Sequence, residues 1–121
     1  MSVVDWKKAR VEMGVGINEM SRLTPETVKA FSAMSEAGEK SGVLDAKTRE
    51  LIAVAIAVQL RCDGCIATYV DGARQAGATR EEIAEALTVA LSVTSRASLT
   101  YATRALDAYA TATPGPSAAS A

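Results

Sequence analysis

The sequence contains no histidine, and its 121 residues include only two cysteines. Structural zinc sites are usually built from four cysteine or histidine side chains. A single chain of this composition cannot supply such a set, so zinc would need carboxylates or a second subunit. The sequence therefore predicts no metal site.

Two other signals for common ligands are also missing. The pair Gly14-x-Gly16 has no predicted strand before it and no third glycine, so it does not predict a dinucleotide site. With 13 basic and 14 acidic residues and no basic run, the chain lacks the electrostatic footprint of a nucleic-acid-binding protein. We expect no cofactor and no nucleic-acid partner.

Long apolar runs are scarce. The longest, Leu51 to Val58, is far shorter than the ~18 residues that suggest a membrane span. The N-terminal residues MSVVDWKKARVEMG have no uninterrupted apolar core of the kind found in signal peptides. These patterns predict no membrane partner and a cytoplasmic location, where closely spaced cysteines are more often catalytic or metal-binding than structural.

Aromatic residues make up only 4% of the chain, against 49% for all apolar residues. Burial must therefore come from Ala, Val, Leu and Ile, which suit closely packed helices. Apolar spacing, caps and glycines predict six helices. They are residues 2–19 with Ser2 as cap, Thr24-Pro25 to the Gly38–Gly42 segment, Asp45 to Leu60, Cys62 to just before Gly77, a fifth from the capping box Thr79-x-x-Glu82, and a sixth marked by Leu99 to Tyr109.

The expected fold is thus all-α, a six-helix single-domain bundle over residues 1–111. The small-residue and proline-rich segment 112–121 is expected to be a disordered tail. Every residue from Leu51 to Val58 is apolar, so the third helix should be enclosed by its own domain or by a neighbouring subunit. A chain of this length leaves room for partners to complete the burial, and we expect a homo-oligomer.

Four residues around the fourth helix form a candidate redox site. Cys62 and Cys65 lie in its predicted first turn, where the helix N-terminus favours the thiolate, the form that attacks peroxides and disulfides. Glu50 lies twelve positions before Cys62, and partial burial beside the apolar run would raise its pKa toward that of a useful base. Tyr69 follows Cys65 by four positions and so shares its helix face.

Each of these residues also has a simpler interpretation. Free cysteines often pack as small buried hydrophobes. A glutamate in the first turns of a helix stabilises the helix dipole, which could be the whole role of Glu50. A tyrosine is more often a core aromatic with one hydrogen bond than a proton relay.

The segment from Leu44 to Leu91 resembles the alkylhydroperoxidase D-like, or carboxymuconolactone decarboxylase-like, superfamily. Three features carry the resemblance: the helix LDAKTRELIAVAIAVQ, the spacing Glu50-x11-Cys62-x2-Cys65, and the following GATREEIAEALTVAL. The resemblance is strong over the central residues and weak at the flanks.

This resemblance implies an all-helical subunit that assembles into trimers or hexamers and uses cysteines in hydroperoxide reduction or disulfide exchange. Carried over by position, Cys65 attacks the peroxide, Cys62 resolves the sulfenic acid as an intramolecular disulfide, and Glu50 is the base. The implied partners are a hydroperoxide or disulfide substrate and an external dithiol reductant.

The sequence departs from the family pattern at two places. Tyr69 occupies the position of a proton-relay histidine, and a phenol with a reference pKa of ~10 can pass a proton but is a poor base at pH 7. Where the family often has glycines, near 93–97, this chain has SVTSRAS with Arg96. Two alternatives remain. One is a cofactor-free lactone decarboxylase, against which the Cys-x-x-Cys pair and the absence of histidine argue. The other is a non-catalytic redox sensor or assembly module whose proton relay has been lost at Tyr69.

Overall fold

The computed structural model describes residues 2–112, and within this range all regular structure is helical. The helices are α1 (Trp6–Leu23), α2 (Pro25–Ser41), α3 (Ala46–Gln59), α4 (Asp63–Gln75) and α5 (Arg80–Thr111). The predicted all-α class is confirmed. Over the described residues, none of these helices is both long and apolar enough to traverse a bilayer.

The predicted division between a fifth and a sixth helix is wrong, because α5 continues without a break for 32 residues. The intervening residues 92–98, SVTSRAS, contain neither glycine nor proline. Serine and threonine lower helix stability by no more than ~0.7 kcal/mol each, so they do not end a helix by themselves. The described residues therefore form five helices instead of six.

The predicted start of α1 is also wrong. Asp5 is the N-cap, and its Oδ1 accepts a hydrogen bond from the backbone N–H of Lys8 at 3.0 Å. The hydroxyl of Ser2 instead donates to the carbonyl of Val4 at 2.8 Å. The helix passes through Gly14 and Gly16 and ends later than predicted, because a glycine costs a helix only about 1 kcal/mol.

Several predicted helix ends are confirmed. Asp45 accepts from the backbone N–H of Thr48 at 2.7 Å and caps α3. The capping box of α5 is complete, since Thr79 Oγ1 accepts from the N–H of Glu82 at 3.1 Å and the Glu82 carboxylate accepts from the N–H of Thr79 at 3.2 Å. Pro25 is the first residue of α2, although the hydroxyl of Thr24 donates backward to the Met20 carbonyl instead of capping.

The chain divides into two compact units, one reaching to Thr88 and the other beginning at Val89. The first unit has a small core in which Val54, Ala73 and Ala78 are buried. In the second unit, the remaining part of α5 leaves its large apolar side chains exposed. The single domain over residues 1–111 stays a prediction, and residues 113–121 of the predicted tail lie outside the described residues.

Candidate active site

The two cysteines lie at the start of α4 and are joined in a disulfide with a Cα–Cα distance of 5.2 Å. Cys62 is the N-cap, and its Sγ accepts a hydrogen bond from the backbone N–H of Cys65 at 3.2 Å. Both residues are half-buried. The predicted position of the pair in the first turn is confirmed, and the two sulfurs are close enough to form and break a bond with each other.

A tight backbone turn between α3 and α4 brings Cys62 to this position. Arg61 has a left-handed backbone with φ 56°, and its N–H donates to the carbonyl of Val58 at 3.1 Å. The N–H of Cys62 donates to the carbonyl of Ala57 at 3.2 Å. These two bonds form a Schellman motif, which usually has glycine at the left-handed position. The arginine there holds a conformation that costs ordinary residues roughly 1–2 kcal/mol.

Glu50 holds its carboxyl group in a partly buried place on α3. Its Oε2 is inaccessible to solvent and has no hydrogen-bond partner among the described residues. Burial, and after it the negative charge of Glu39, raises the pKa of this carboxyl above its ordinary value, while Arg49 acts in the opposite direction. The expected direction of the shift is confirmed, so Glu50 retains its proton more readily than an exposed glutamate.

Gly72 of α4 makes room for this carboxyl group. A Cβ atom on Gly72 would lie 2.6 Å from Oε2 and 2.9 Å from Cδ of Glu50, far inside van der Waals contact. The acid therefore rests directly on the backbone of α4. Because Gly72 follows Cys65 by seven residues, this contact lies about 10 Å farther along the helix than the Cys65 backbone.

Tyr69 lies between these two levels on the same helix face, one turn after Cys65 and nearly one turn before Gly72. It is half-buried and packs against the cluster of Val54, Ala73 and Ala78. Side chains on a helix lean toward its N-terminus, so the phenol leans toward the cysteine turn. Along α4 the order is thus the sulfur pair, then the Tyr69 phenol, then the Glu50 carboxyl against Gly72.

Comparison with known proteins shows which family this chain resembles. The model of the carboxymuconolactone decarboxylase family matches residues 25–108, which is more than half of the chain. The chain belongs to the carboxymuconolactone decarboxylase family. The match extends well beyond the central segment in which the sequence resemblance was strong, and it confirms the superfamily inferred there.

Individual relatives cover nearly the whole chain. An uncharacterized protein of Haemophilus influenzae is 41% identical over 105 residues, covering 87% of this chain and 93% of the relative. The uncharacterized protein 4 in the cox locus of Paracoccus denitrificans is 39% identical over 106 residues, covering 88% and 92%. The crystal structure of an apo carboxymuconolactone decarboxylase family protein from Legionella pneumophila has a TM-score of 0.69 and 36% identity, covering 86% of this chain and 93% of that one.

Three residues that shape the site were not among the candidates predicted from the sequence: Gly72, Glu39 and Arg61. A signal existed for Gly72, because a glycine inside a helix is unfavourable and so often has a packing reason. Its spacing of three from Tyr69 and seven from Cys65 placed it on the face of the candidate site. Nothing in the local sequence predicted that Arg61 would take a left-handed backbone or that Glu39 would influence Glu50 from another helix.

Glu50→Gln should remove a pH-dependent loss of stability. Because the pKa of Glu50 is raised in the folded protein, the unfolded chain releases this proton first as pH increases. The cost to stability is therefore absent below the unfolded-state pKa and grows as pH rises through the folded-state pKa. The free energy of unfolding in urea, measured as pH rises through the two pKa values, should fall for the wild type and for a Glu85→Gln control on α5. If that free energy depends on pH equally in the wild type and in Glu50→Gln, the raised pKa is not that of Glu50.

Proposed function

We propose that this member of the carboxymuconolactone decarboxylase family is a thiol-dependent hydroperoxide reductase and thiol-disulfide oxidoreductase. The observation that carries the proposal is the Cys62–Cys65 disulfide at the N-terminus of α4. The disulfide lies on the same face of α4 as Tyr69 and Gly72. The Glu50 carboxyl, whose pKa is raised, rests against Gly72. Perturbed acids beside reactive side chains are typical of catalytic sites.

The proposed reaction has three balanced steps. The Cys65 thiolate attacks the outer oxygen of a hydroperoxide, the O–O bond breaks, and the alkoxide takes a proton to leave as an alcohol while Cys65 becomes a sulfenic acid. The Cys62 thiol then attacks that sulfur, forming the disulfide and releasing water. An external dithiol finally reduces the disulfide and becomes oxidised itself.

Glu50 supplies the proton-transfer step in this proposal. The Glu50 carboxyl contacts α4 at Gly72, about 10 Å along the helix axis from the backbone of Cys65. Tyr69 or a water molecule therefore bridges the two, with the phenol accepting one proton as it donates another. The buried surroundings of the Oε2 atom support this role, because a carboxyl of raised pKa exchanges protons nearer to neutral pH than an exposed one.

The N-cap position of Cys62 supports the return half of the cycle. When a dithiol attacks Cys65, the Cys62 sulfur leaves as a thiolate, and the N–H of Cys65 already points at it. Helix N-termini lower thiol pKa values, and a leaving thiol of lower pKa leaves faster. Such a cycle needs a supply of reduced dithiols, and we place the protein in the cytoplasm for that reason.

A thiol count tests the function. The reduced protein should lose two thiols per chain when treated with one equivalent of cumene hydroperoxide, and one equivalent of cumyl alcohol should form. Disulfide formation shown by mass spectrometry would establish the resolving step. If the thiol count stays unchanged at several equivalents of peroxide, the hydroperoxide reductase proposal is wrong.

We also propose that the subunit forms a homo-oligomer, a trimer or a hexamer. On α3, the apolar residues Ile52 and Ile56 are 46% and 54% exposed, although they belong to the run expected to be enclosed. In the second unit, Leu99 and Leu106 are each 73% exposed and share a helix face. Apolar stripes of this kind mark protein contacts when they form continuous patches.

The double variant Leu99→Glu/Leu106→Glu should be smaller in solution than the wild type. Two charges on this stripe would have to be buried unpaired in a subunit contact, which costs far more than the contact gains. Light scattering coupled to size-exclusion chromatography measures the mass. The variant Ala97→Glu/Ala108→Glu adds the same charge to the opposite face of α5 and should keep the wild-type mass. A monomeric wild type would refute the assembly.

A further inference from the structure

A cleft between α1 and α4, on a different side of α4 from the cysteine pair, has the properties of a ligand site. Its volume is about 540 Å³, within the range of roughly 300–1,000 Å³ that holds small organic ligands. Trp6 contributes from α1, and Ile66 and Val70 contribute from α4. These three side chains give the cleft an apolar interior.

The packing of the two helices explains why the cleft opens where it does. Near the start of α4 the helices touch, because a Cβ on Gly64 would lie 2.8 Å from Cβ and Sδ of Met13. The contacts Met13–Gly64 and Arg10–Asp71 follow opposite directions along the two helices, so Trp6 on α1 lies beside the later turns of α4. There Trp6 of α1 and Val70 and Arg74 of α4 line the cleft. The ion pair of Arg10 and Asp71, at 2.7 Å, spans the middle of this contact.

The charge at the rim selects the ligand. Among the described residues that line the cleft, Lys7, Arg10 and Arg74 are the cations and Asp71 is the single acid. Asp71 is already engaged, because its Oδ2 accepts from Arg10 at 2.7 Å and from Gln75 Nε2 at 2.8 Å. Lys7 and Arg74 therefore leave an excess of two positive charges over an apolar interior, in a chain whose formal net charge is −1.

We propose that this cleft binds an amphipathic carboxylate, a small molecule with an aliphatic or aromatic body and one anionic end. The body lies against Trp6, Ile66 and Val70. The carboxylate lies at the rim between the ammonium of Lys7 and the guanidinium of Arg74, which can hold it with two parallel hydrogen bonds. This site is independent of the proposed thiol chemistry and uses none of its residues.

Trp6 is the only tryptophan in the chain, so its fluorescence reports on the cleft directly. Decanoate, added to the full-length disulfide form below its micelle concentration, should shift the emission to shorter wavelength and saturate. Decylamine has the same chain with the opposite charge, and acetate has the charge without the chain. Both should give little or no shift, because binding requires the apolar body and the anion together.

Charge reversal at the rim provides the decisive comparison. Lys7→Glu/Arg74→Glu should weaken decanoate binding about tenfold or more, because two charges that attract the carboxylate are replaced by two that repel it. Arg80→Glu, an exposed cation at the start of α5, should leave the affinity unchanged. Circular dichroism and calorimetric titration check folding and binding without relying on Trp6.

Three results would overturn the proposal. Decylamine could bind as well as decanoate, which would show a site selective only for apolar chains. Both double-variant and wild-type protein could bind decanoate equally, which would remove the rim cations from recognition. Decanoate could leave both the Trp6 emission and the calorimetric titration unchanged, which would show that the cleft binds no such carboxylate. If dilution of the protein then shifts the emission, a second copy of the chain covers the cleft.

Discussion

Cys65→Ser should abolish peroxide turnover, with a loss of about a thousandfold or more, as expected when the attacking group of a covalent mechanism is removed. The serine hydroxyl is nearly isosteric but stays protonated at neutral pH, so it offers no nucleophile at the start of α4. Consumption of cumene hydroperoxide in the presence of dithiothreitol measures the loss.

Cys62→Ser is the matched control because it removes the second sulfur and leaves the first. In this variant Cys65 should still react once with peroxide, giving a sulfenic acid that a dimedone probe traps. No intramolecular disulfide can follow, so turnover should fall unless the external thiol reduces the sulfenic acid directly.

The pair of variants also tests the order of the two sulfurs. In the disulfide the N–H of Cys65 donates to the Cys62 sulfur, so the backbone at this turn is oriented toward Cys62 and not toward Cys65. If trapping by dimedone occurs in Cys65→Ser and not in Cys62→Ser, then Cys62 is the attacking residue and the assignment carried over from the family resemblance is reversed.

The sequence contained most of what determines the individual helices. Caps are local, so Asp45 and the box of Thr79 and Glu82 could be predicted from residues within one turn. The same holds for Cys62 and Cys65 at the start of α4. By contrast, apolar residues grouped on either side of SVTSRAS predict two helices, although the propensities of that segment permit the single continuous helix that forms.

The contacts between helices could not be predicted in the same way. The contact of the Glu50 carboxyl with Gly72 depends on how closely α3 approaches α4. That distance is set by the packing of Val54 and Ala73. The influence of Glu39 depends on where the end of α2 lies. Neither distance follows from spacing along the chain, so the sequence predicted a partly buried acid but not the backbone that it rests on.

Tyr69→His should increase peroxide turnover by about 10² or more, within the range that general acid–base catalysis contributes. An imidazole has a reference pKa of ~6.5 and can accept and donate a proton at neutral pH, whereas a phenol is a weak base there. On the proposed path the new side chain would stand between the Cys65 turn and the Glu50 carboxyl at Gly72, where the relay lacks an efficient base.

Stability is expected to change in the opposite direction. The phenol packs against Val54, Ala73 and Ala78, and a smaller polar ring there gives up apolar contacts. Loss of large core side chains costs about 2–5 kcal/mol, and this milder replacement should lie at or below the lower end. Turnover should therefore be measured well below the unfolding temperature and compared per folded protein.

Two further variants separate a relay from a change in packing. Tyr69→Phe keeps the ring and removes the hydroxyl, so a phenol that passes protons should lose activity on this change while a core aromatic should not. Adding Glu50→Gln to Tyr69→His should cancel most of the gain, because the imidazole then has no carboxyl with which to exchange its proton.

The pH profile gives the sharpest form of the test. With a histidine relay, the rate of peroxide consumption plotted against pH should change near the imidazole pKa. The wild-type profile should lack this change because the chain contains no histidine. A folded Tyr69→His protein with unchanged turnover and an unchanged profile would show that proton transfer does not limit this site. The departure at Tyr69 would then reflect a reaction in which the sulfur pair exchanges disulfides without needing a strong base.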